Sequence, residues 1–181
     1  MNIWFTSDTH FHHKNIIEYC NRPFTSVDEM DEALVTNWNA RVGVNDTVYH
    51  LGDFLLCKSR SRRGFSECLT RMIAKLNGAS IFLLPGNHDK VGSGDHPRLC
   101  VIPPLVYLPQ FGPAGLVLCH YALRVWHKSH YGSWHLYGHS HGFLPENDSA
   151  SFDIGVDANG YAPVSYDEVE VRMEQKSLHG V

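Results

Sequence analysis

The stretch Ile81-Phe82-Leu83-Leu84-Pro85-Gly86-Asn87-His88-Asp89 decides how the rest of this chain reads. A short apolar run closed by Pro and Gly has the form of a buried strand that stops abruptly. Three side chains then offer, in succession, an amide oxygen, an imidazole and a carboxylate. Asn, Asp and Gly are also the ordinary residues of a strand-to-loop turn, so this stretch alone leaves two readings level. Working outward, the same form recurs. Asp8-Thr9-His10 follows Ile3-Trp4-Phe5, and Gly52-Asp53 follows Val48-Tyr49-His50-Leu51. His120 follows Leu116-Val117-Leu118-Cys119, and Gly138-His139-Ser140-His141 follows Trp134-His135-Leu136-Tyr137. Five apolar runs that each end in side chains able to bind a metal ion define a candidate site.

The segments between these runs read as an α/β chain. Asn2 to Thr6 is a strand with Asp8 and His10 beyond its carboxyl end, where ligands sit in open α/β sheets. A helical turn near Asn15 to Cys20 is broken at Arg22-Pro23. Ser26-x-x-Glu29 has the form of a capping box, and Val27, Met30, Leu34 and Trp38 follow at helical spacing up to Gly43. Thr47 to Leu51 is the next strand, Gly64 to Leu76 an amphipathic helix ended by Asn77-Gly78, and Ala79 to Leu84 the strand of the opening stretch. The order β-α-β-α-β predicts an α/β sheet.

The second half changes character. Val91 to Pro113 is rich in Gly and Pro, with one apolar run, Pro104 to Leu108, expected as an edge strand. Leu116 to Cys119, Trp134 to Tyr137 and Phe152 to Val156 are further strands. Ser165-x-x-Glu168 is a second capping box. Glu170-Val171-Arg172-Met173 is expected as a last strand, and the chain from Gln175 onward is expected to fray.

At 181 residues the chain suits a single domain, 1–181. Hydrophobic residues at 43% and charged ones at 19% are those of an ordinary globular protein. With 15 basic against 19 acidic side chains, a protein that holds duplex nucleic acid by neutralising phosphates is disfavoured. The local basic cluster Lys58, Arg60, Arg62 and Arg63 reads as a solvated loop or helix start. Five scattered cysteines without a C-x-x-C pair suggest neither a disulfide framework nor a thiolate zinc site, and read as small buried apolar residues. No signal segment is visible and no apolar run approaches the roughly 20 residues of a membrane span. The expectation is a cytoplasmic protein with no membrane partner. The 13 histidines invite a metal.

Collected, the strand-end donors are Asp8, His10, Asp53, Asn87, His120, His139 and His141. Seven donors with one carboxylate shared supply four ligands to each of two ions, and a mixed N/O set without thiolate suits Mn, Fe, Co, Ni or Zn. The order D-x-H, G-D, G-N-H-D, H and G-H-x-H closely resembles the calcineurin-like metallophosphoesterase superfamily, in its small single-domain bacterial or phage-type form. That resemblance implies a four-layer α/β/β/α sandwich of two mixed sheets flanked by helices. It implies one divalent ion on Asp8, His10, Asp53 and His141, and another on Asp53, Asn87, His120 and His139, with manganese the leading choice.

By the same resemblance the activity is hydrolysis of phosphomono- or phosphodiesters of a small or nucleotide-like substrate. Two ions about 3.5 to 4 Å apart can share a bridging hydroxide as nucleophile. His88 is implied as the general acid on the leaving oxygen, and Asp89 either orients its imidazole or serves as a turn residue, the two readings standing level. The alternative is a metal-bound interaction or regulatory module; the presence of His88, which a pure metal scaffold does not need, argues against it. Among the other histidines, His12 and His13 could reach a bound phosphate or lie on the surface. His50 and His135, inside strands, are expected to be satisfied in the core. His127 and His130 line the pocket or pack with Trp126, Tyr131 and Trp134, and His96 and His179 are incidental.

Overall fold

A computed structural model describes the chain apart from Lys58, Arg60, Ser93, Glu146, Asn147, Gly180 and Val181, and apart from the side chains of 177–179. Half of the expected basic cluster, Lys58 and Arg60, therefore lies outside the described residues. In the N-terminal half, β1 (Ile3–Thr6), β2 (Thr47–His50) and β3 (Ser80–Leu83) run parallel. Between them come α1 (Lys14–Tyr19), α2 (Val27–Arg41) and α3 (Arg62–Lys75).

Successive side chains of a strand point to opposite faces, and here they feed two cores. Trp4, Val48 and Ile81 pack with Met30, Leu34 and Trp38 of α2 and with Leu69, Met72 and Ile73 of α3. Phe5 turns the other way, into a core shared with Leu116, Leu118, Trp134 and Leu136. These last belong to the second sheet, made of β5 (Leu105–Leu108), β6 (Leu116–Cys119), β7 (Trp134–Tyr137) and β8 (Ser151–Asp153). In that sheet β5 is the expected edge strand, antiparallel to β6, while β6, β7 and β8 are parallel. The first sheet is extended by β4 (Leu99–Val101), parallel to β3, and by β9 (Val164–Ser165), antiparallel to β1. The result is the expected mixed α/β fold of two mixed sheets flanked by helices. The outer face of the second sheet is overlaid by the segment 121–133, whose Leu123 N–H donates to His135 Nε2 and whose Trp126 ring lies 5.3 Å from the His135 ring. Among the described residues no helix is long and apolar enough to cross a membrane.

Three local expectations need correction. β4 and β9 fall outside the expected strands, because two or three residues do not establish a period. The expected strand Glu170 to Met173 is helical: α4 runs Tyr166–His179, through the stretch expected to fray. Val169 and Met173 are fully buried while Val171 is 54% exposed, so burial here follows the i, i+4 spacing of a helix. The box that opens α4 is complete, with the Glu168 N–H donating to Ser165 Oγ and the Ser165 N–H to Glu168 Oε2. At α2, Ser26 Oγ caps the Glu29 N–H, but the Glu29 carboxylate accepts from the Thr25 N–H and hydroxyl. Its reciprocal half is thus displaced by one residue.

Candidate metal centre

The carboxyl ends of β1, β2 and β3 meet those of β6 and β7, and the loops beyond them are tied by backbone bonds. The Asp8 N–H donates to the Gly52 carbonyl and the His10 N–H to the Asp53 carbonyl, each at 2.9 Å. The loops after β1, β2 and β7 then turn sharply through left-handed backbone at the donor residues themselves: φ is 59° at Asp8, 49° at His10, 56° at Asp53, 65° at His139 and 49° at His141. Residues other than glycine seldom adopt this region, and clustered strain of this kind marks functional sites. Gly52, at φ 104°, has no room for a side chain, since a Cβ there would lie 2.5 Å from the Gly86 nitrogen and 2.7 Å from His120 Nδ1.

All seven strand-end donors come together, in two groups. In the first, Asp8 Oδ1 lies 4.0 Å from His10 Nε2 and 3.9 Å from His141 Nε2. In the second, Asp53 Oδ2 lies 3.6 Å from His120 Nε2, and the His139 ring is 5.1 Å from that of His120. Each group brings its ligand atoms within 4.8 Å of one another, close enough to hold a metal ion. Asp53 Oδ2 is also 3.4 Å from His10 Nε2, so this carboxylate stands between the groups. Its other oxygen accepts the His88 N–H at 2.9 Å, and Asn87 Oδ1 lies 3.1 Å from His120 Nε2.

The chemistry of these atoms fits cations. Among the described residues Asp8 Oδ1 and His10 Nε2 are buried without a hydrogen-bond partner, a state that native proteins rarely leave unexplained. Burial keeps the His10 imidazole neutral. Burial also pushes Asp8 up to about 7, against the opposing influence of His141 and of the Ser7 and His139 hydrogen bonds. The chain's own groups therefore only half sustain an ionised Asp8, whereas a divalent ion would favour that form outright. In the second group His120 Nδ1 lies 2.7 Å from the Leu51 carbonyl and donates to it. Burial lowers the His120 pKa, so in the neutral ring Nε2 carries a lone pair. It faces Asn87 Oδ1 and Asp53 Oδ2, three acceptors turned toward one another. At His141 burial opposes the charged ring but is outweighed by Asp157, Cys20 and Asp8, which raise its pKa to about 10. A metal ion at Nε2 would displace that proton.

Other expected roles sort differently. Asp89 does not orient the His88 imidazole. Its Oδ2 accepts the N–H groups of Asp53 and Gly86 and its Oδ1 that of Phe54, so it clamps the Asp53 loop to the Gly86 turn. His12 turns away to Asp31 of α2, Nδ1 to Oδ2 at 2.5 Å. His13 instead places its Nδ1 3.3 Å from His10 Nδ1, with its ring 6.0 Å from that of the exposed His88. His50 and His135 are satisfied in the core as expected. His50 lies between Thr9 Oγ1 and the Gly52 N–H, and His135 between the Val117 carbonyl and the Leu123 N–H. His127 packs on Tyr107 and His130 on Tyr131. The rim place belongs to Tyr121, whose ring is 4.9 Å from His120 and 4.8 Å from His139; its position directly after His120 is the signal that marks it. Of the five cysteines only Cys119 is buried, and Cys20 joins His141 and Asp157 in a cluster. Sequence reasoning also missed Asp157 and Arg22. Asp157 Oδ2 lies 2.7 Å from His141 Nδ1, and both Asp157 oxygens accept from the Arg22 guanidinium. No local pattern announces a pair 135 residues apart.

Two mixed sheets that present nitrogen and oxygen donors from five strand ends define a two-sheet α/β protein with residues able to hold metal ions. Comparison with known proteins supplies the family. The calcineurin-like phosphoesterase family matches residues 1–143, and the chain belongs to it. An uncharacterized protein of Methanocaldococcus jannaschii is 34% identical over 184 residues, covering 96% of this chain and 92% of that protein. The Gene 66 protein of Mycobacterium phage L5 is 40% identical over 96 residues, 53% of this chain and 42% of its own length. Among solved structures, the protein of unknown function AQ665 from Aquifex aeolicus superposes with a TM-score of 0.67, covering 94% of this chain and 98% of that one. At 21% identity it shows a shared fold.

Proposed function

We propose that this protein is a dinuclear metal-dependent phosphoesterase that hydrolyses phosphomono- or phosphodiester bonds of a small or nucleotide-like substrate. The observation that carries this reading is the Asp53 carboxylate standing between two donor groups, with Asp8 Oδ1 and His10 Nε2 beside it lacking a hydrogen-bond partner among the described residues. Asp8, His10, Asp53 and His141 would hold one ion, and Asp53, Asn87, His120 and His139 the other. Manganese leads among the ions suited to such a set, with Fe, Ni, Co and Zn next. Two such ions supply activation of water and neutralisation of the charge that builds on the phosphoryl oxygens.

The chain's own residues do the rest. Asp53 Oδ1 tethers the His88 backbone, and Asp89 pins the turn behind it. His88 is exposed at the mouth of the centre, its ring 5.5 Å from that of His10. From there it donates a proton to the departing oxygen. Tyr121 and His13 border the same opening. The net charge of −4 accords with a small anion drawn to a local cationic centre and gives no purchase on duplex nucleic acid.

The test is a metal-stripped sample assayed with bis-p-nitrophenyl phosphate, p-nitrophenyl phosphate and cyclic nucleotides, before and after addition of Mn²⁺. Hydrolysis that is lost on chelation and returns with the metal is expected. Metal-free protein whose hydrolysis is unaffected by chelator refutes the reading.

A further inference from the structure

Arg22 is withdrawn from solvent together with its partner, the two side chains showing 0% and 5% exposure. Its Nε and Nη2 each lie 2.8 Å from an oxygen of Asp157, the two-pronged geometry that guanidinium and carboxylate share. Nη2 also donates to the Asp8 carbonyl at 2.7 Å, and Nη1 to the Thr9 carbonyl at 3.1 Å. Asp157 Oδ2 in turn accepts from His141 Nδ1 at 2.7 Å. One guanidinium therefore grips the loop after β1 and, through Asp157, the loop after β7. These loops carry Asp8, His10 and His141.

A buried ion pair is a poor device for stability alone, because desolvating both charges offsets their attraction. Its position directly behind three donors gives it a sharper role. With Nδ1–H committed to Asp157, the His141 ring is held so that Nε2 turns toward Asp8 Oδ1. The same Arg22 fixes the backbone of Asp8, a residue in left-handed conformation. The geometry points to Arg22 and Asp157 as a positioning pair that sets how tightly the Asp8, His10 and His141 half holds its ion, without acting on the His120 and His139 half. This inference rests on the two-ion reading above. Partners that orient a metal-bound imidazole through its other nitrogen typically change metal affinity by about 10- to 100-fold when removed.

The experiment is calorimetric titration of the chelator-stripped full chain with Mn²⁺, for the wild type, Asp157→Asn and Arg22→Lys, alongside thermal unfolding of the stripped proteins. Asn keeps the volume of Asp157 and an oxygen toward His141, while Lys keeps the charge of Arg22 without its planar fork. The wild type should bind two ions. In each variant one binding event should weaken by about 10- to 100-fold, the other should stay unchanged, and the stripped protein should still unfold cooperatively. Isotherms that superimpose on the wild type overturn the inference. So does equal weakening of both events in folded variants, since the pair would then act through the whole fold. A wild type that binds no Mn²⁺ is the failure of the two-ion reading itself, visible before any variant is compared. Should Arg22→Lys fail to fold, Asp157→Asn decides.

Discussion

In the Asp8, His10 and His141 half of the centre every donor is sheltered, with side-chain exposures of 0%, 2% and 13%. The other half combines two buried donors, Asp53 and His120, with Asn87 and His139, which are exposed. The sheltered half is oriented from behind by Arg22 and Asp157; the open half is framed by Tyr121 and the turn that Asp89 clamps. In the proposed two-ion reading, the difference assigns the two positions unequal work. A donor set fixed by buried hydrogen bonds is preorganised for its ion, while one that includes exposed side chains stays accessible to whatever enters from solvent.

The largest effect is expected where the halves share a residue. Asp53→Asn removes charge from both, so activity should fall to background and elemental analysis should find less than one ion per chain. His139→Ala, confined to the open half, should retain the sheltered ion. A variant at Asp53 that keeps both ions, beside a His141→Ala variant that keeps neither, would show that the shared ligand is misassigned.

A smaller effect, confined to the open side, is expected at His88. If its ring protonates the leaving oxygen, His88→Ala should lose on the order of 10²- to 10⁴-fold on alkyl phosphate esters, whose basic alkoxide departs poorly without a proton. On p-nitrophenyl esters the loss should be distinctly less, with both ions retained. Equal losses across a leaving-group series, at intact metal content, rule out general-acid catalysis by His88.

The smallest effect lies outside both halves and separates stability from the centre. Burial holds the His135 pKa down at about 4 in the folded chain, against about 6.5 in an unfolded one. The unfolded state therefore binds the proton first as pH falls. The contribution of a neutral His135 is complete above about pH 6.5 and is lost progressively toward pH 4, amounting to about 3 kcal/mol. Unfolding of chelated protein across this window should show the slope in the wild type and a shallower one in His135→Gln. An unchanged slope would assign the acid sensitivity to other groups.

The sequence by itself determined which residues could meet, because each donor follows an apolar run, and a run of three to five such residues commits both to a strand and to the end at which its loop emerges. It determined α2 and α3 through helical spacing, and the family through the order of its five motifs. Tertiary structure decided what those patterns could not carry. β9 is two residues long and β4 three, too short for any period, and they join the sheet because β1 and β3 offer open edges. Val169 and Met173 became helical because their burial against the second core, with Val171 outside, is set by packing. The roles of Asp89, His12 and His13 depended on which backbone N–H, carboxylate or ring nitrogen lay within 3.5 Å, a matter of loop direction in space. Arg22 and Asp157, 135 positions apart, illustrate the general reason. Hydrophobic periodicity is written locally, whereas the partner of a buried charge is chosen in space.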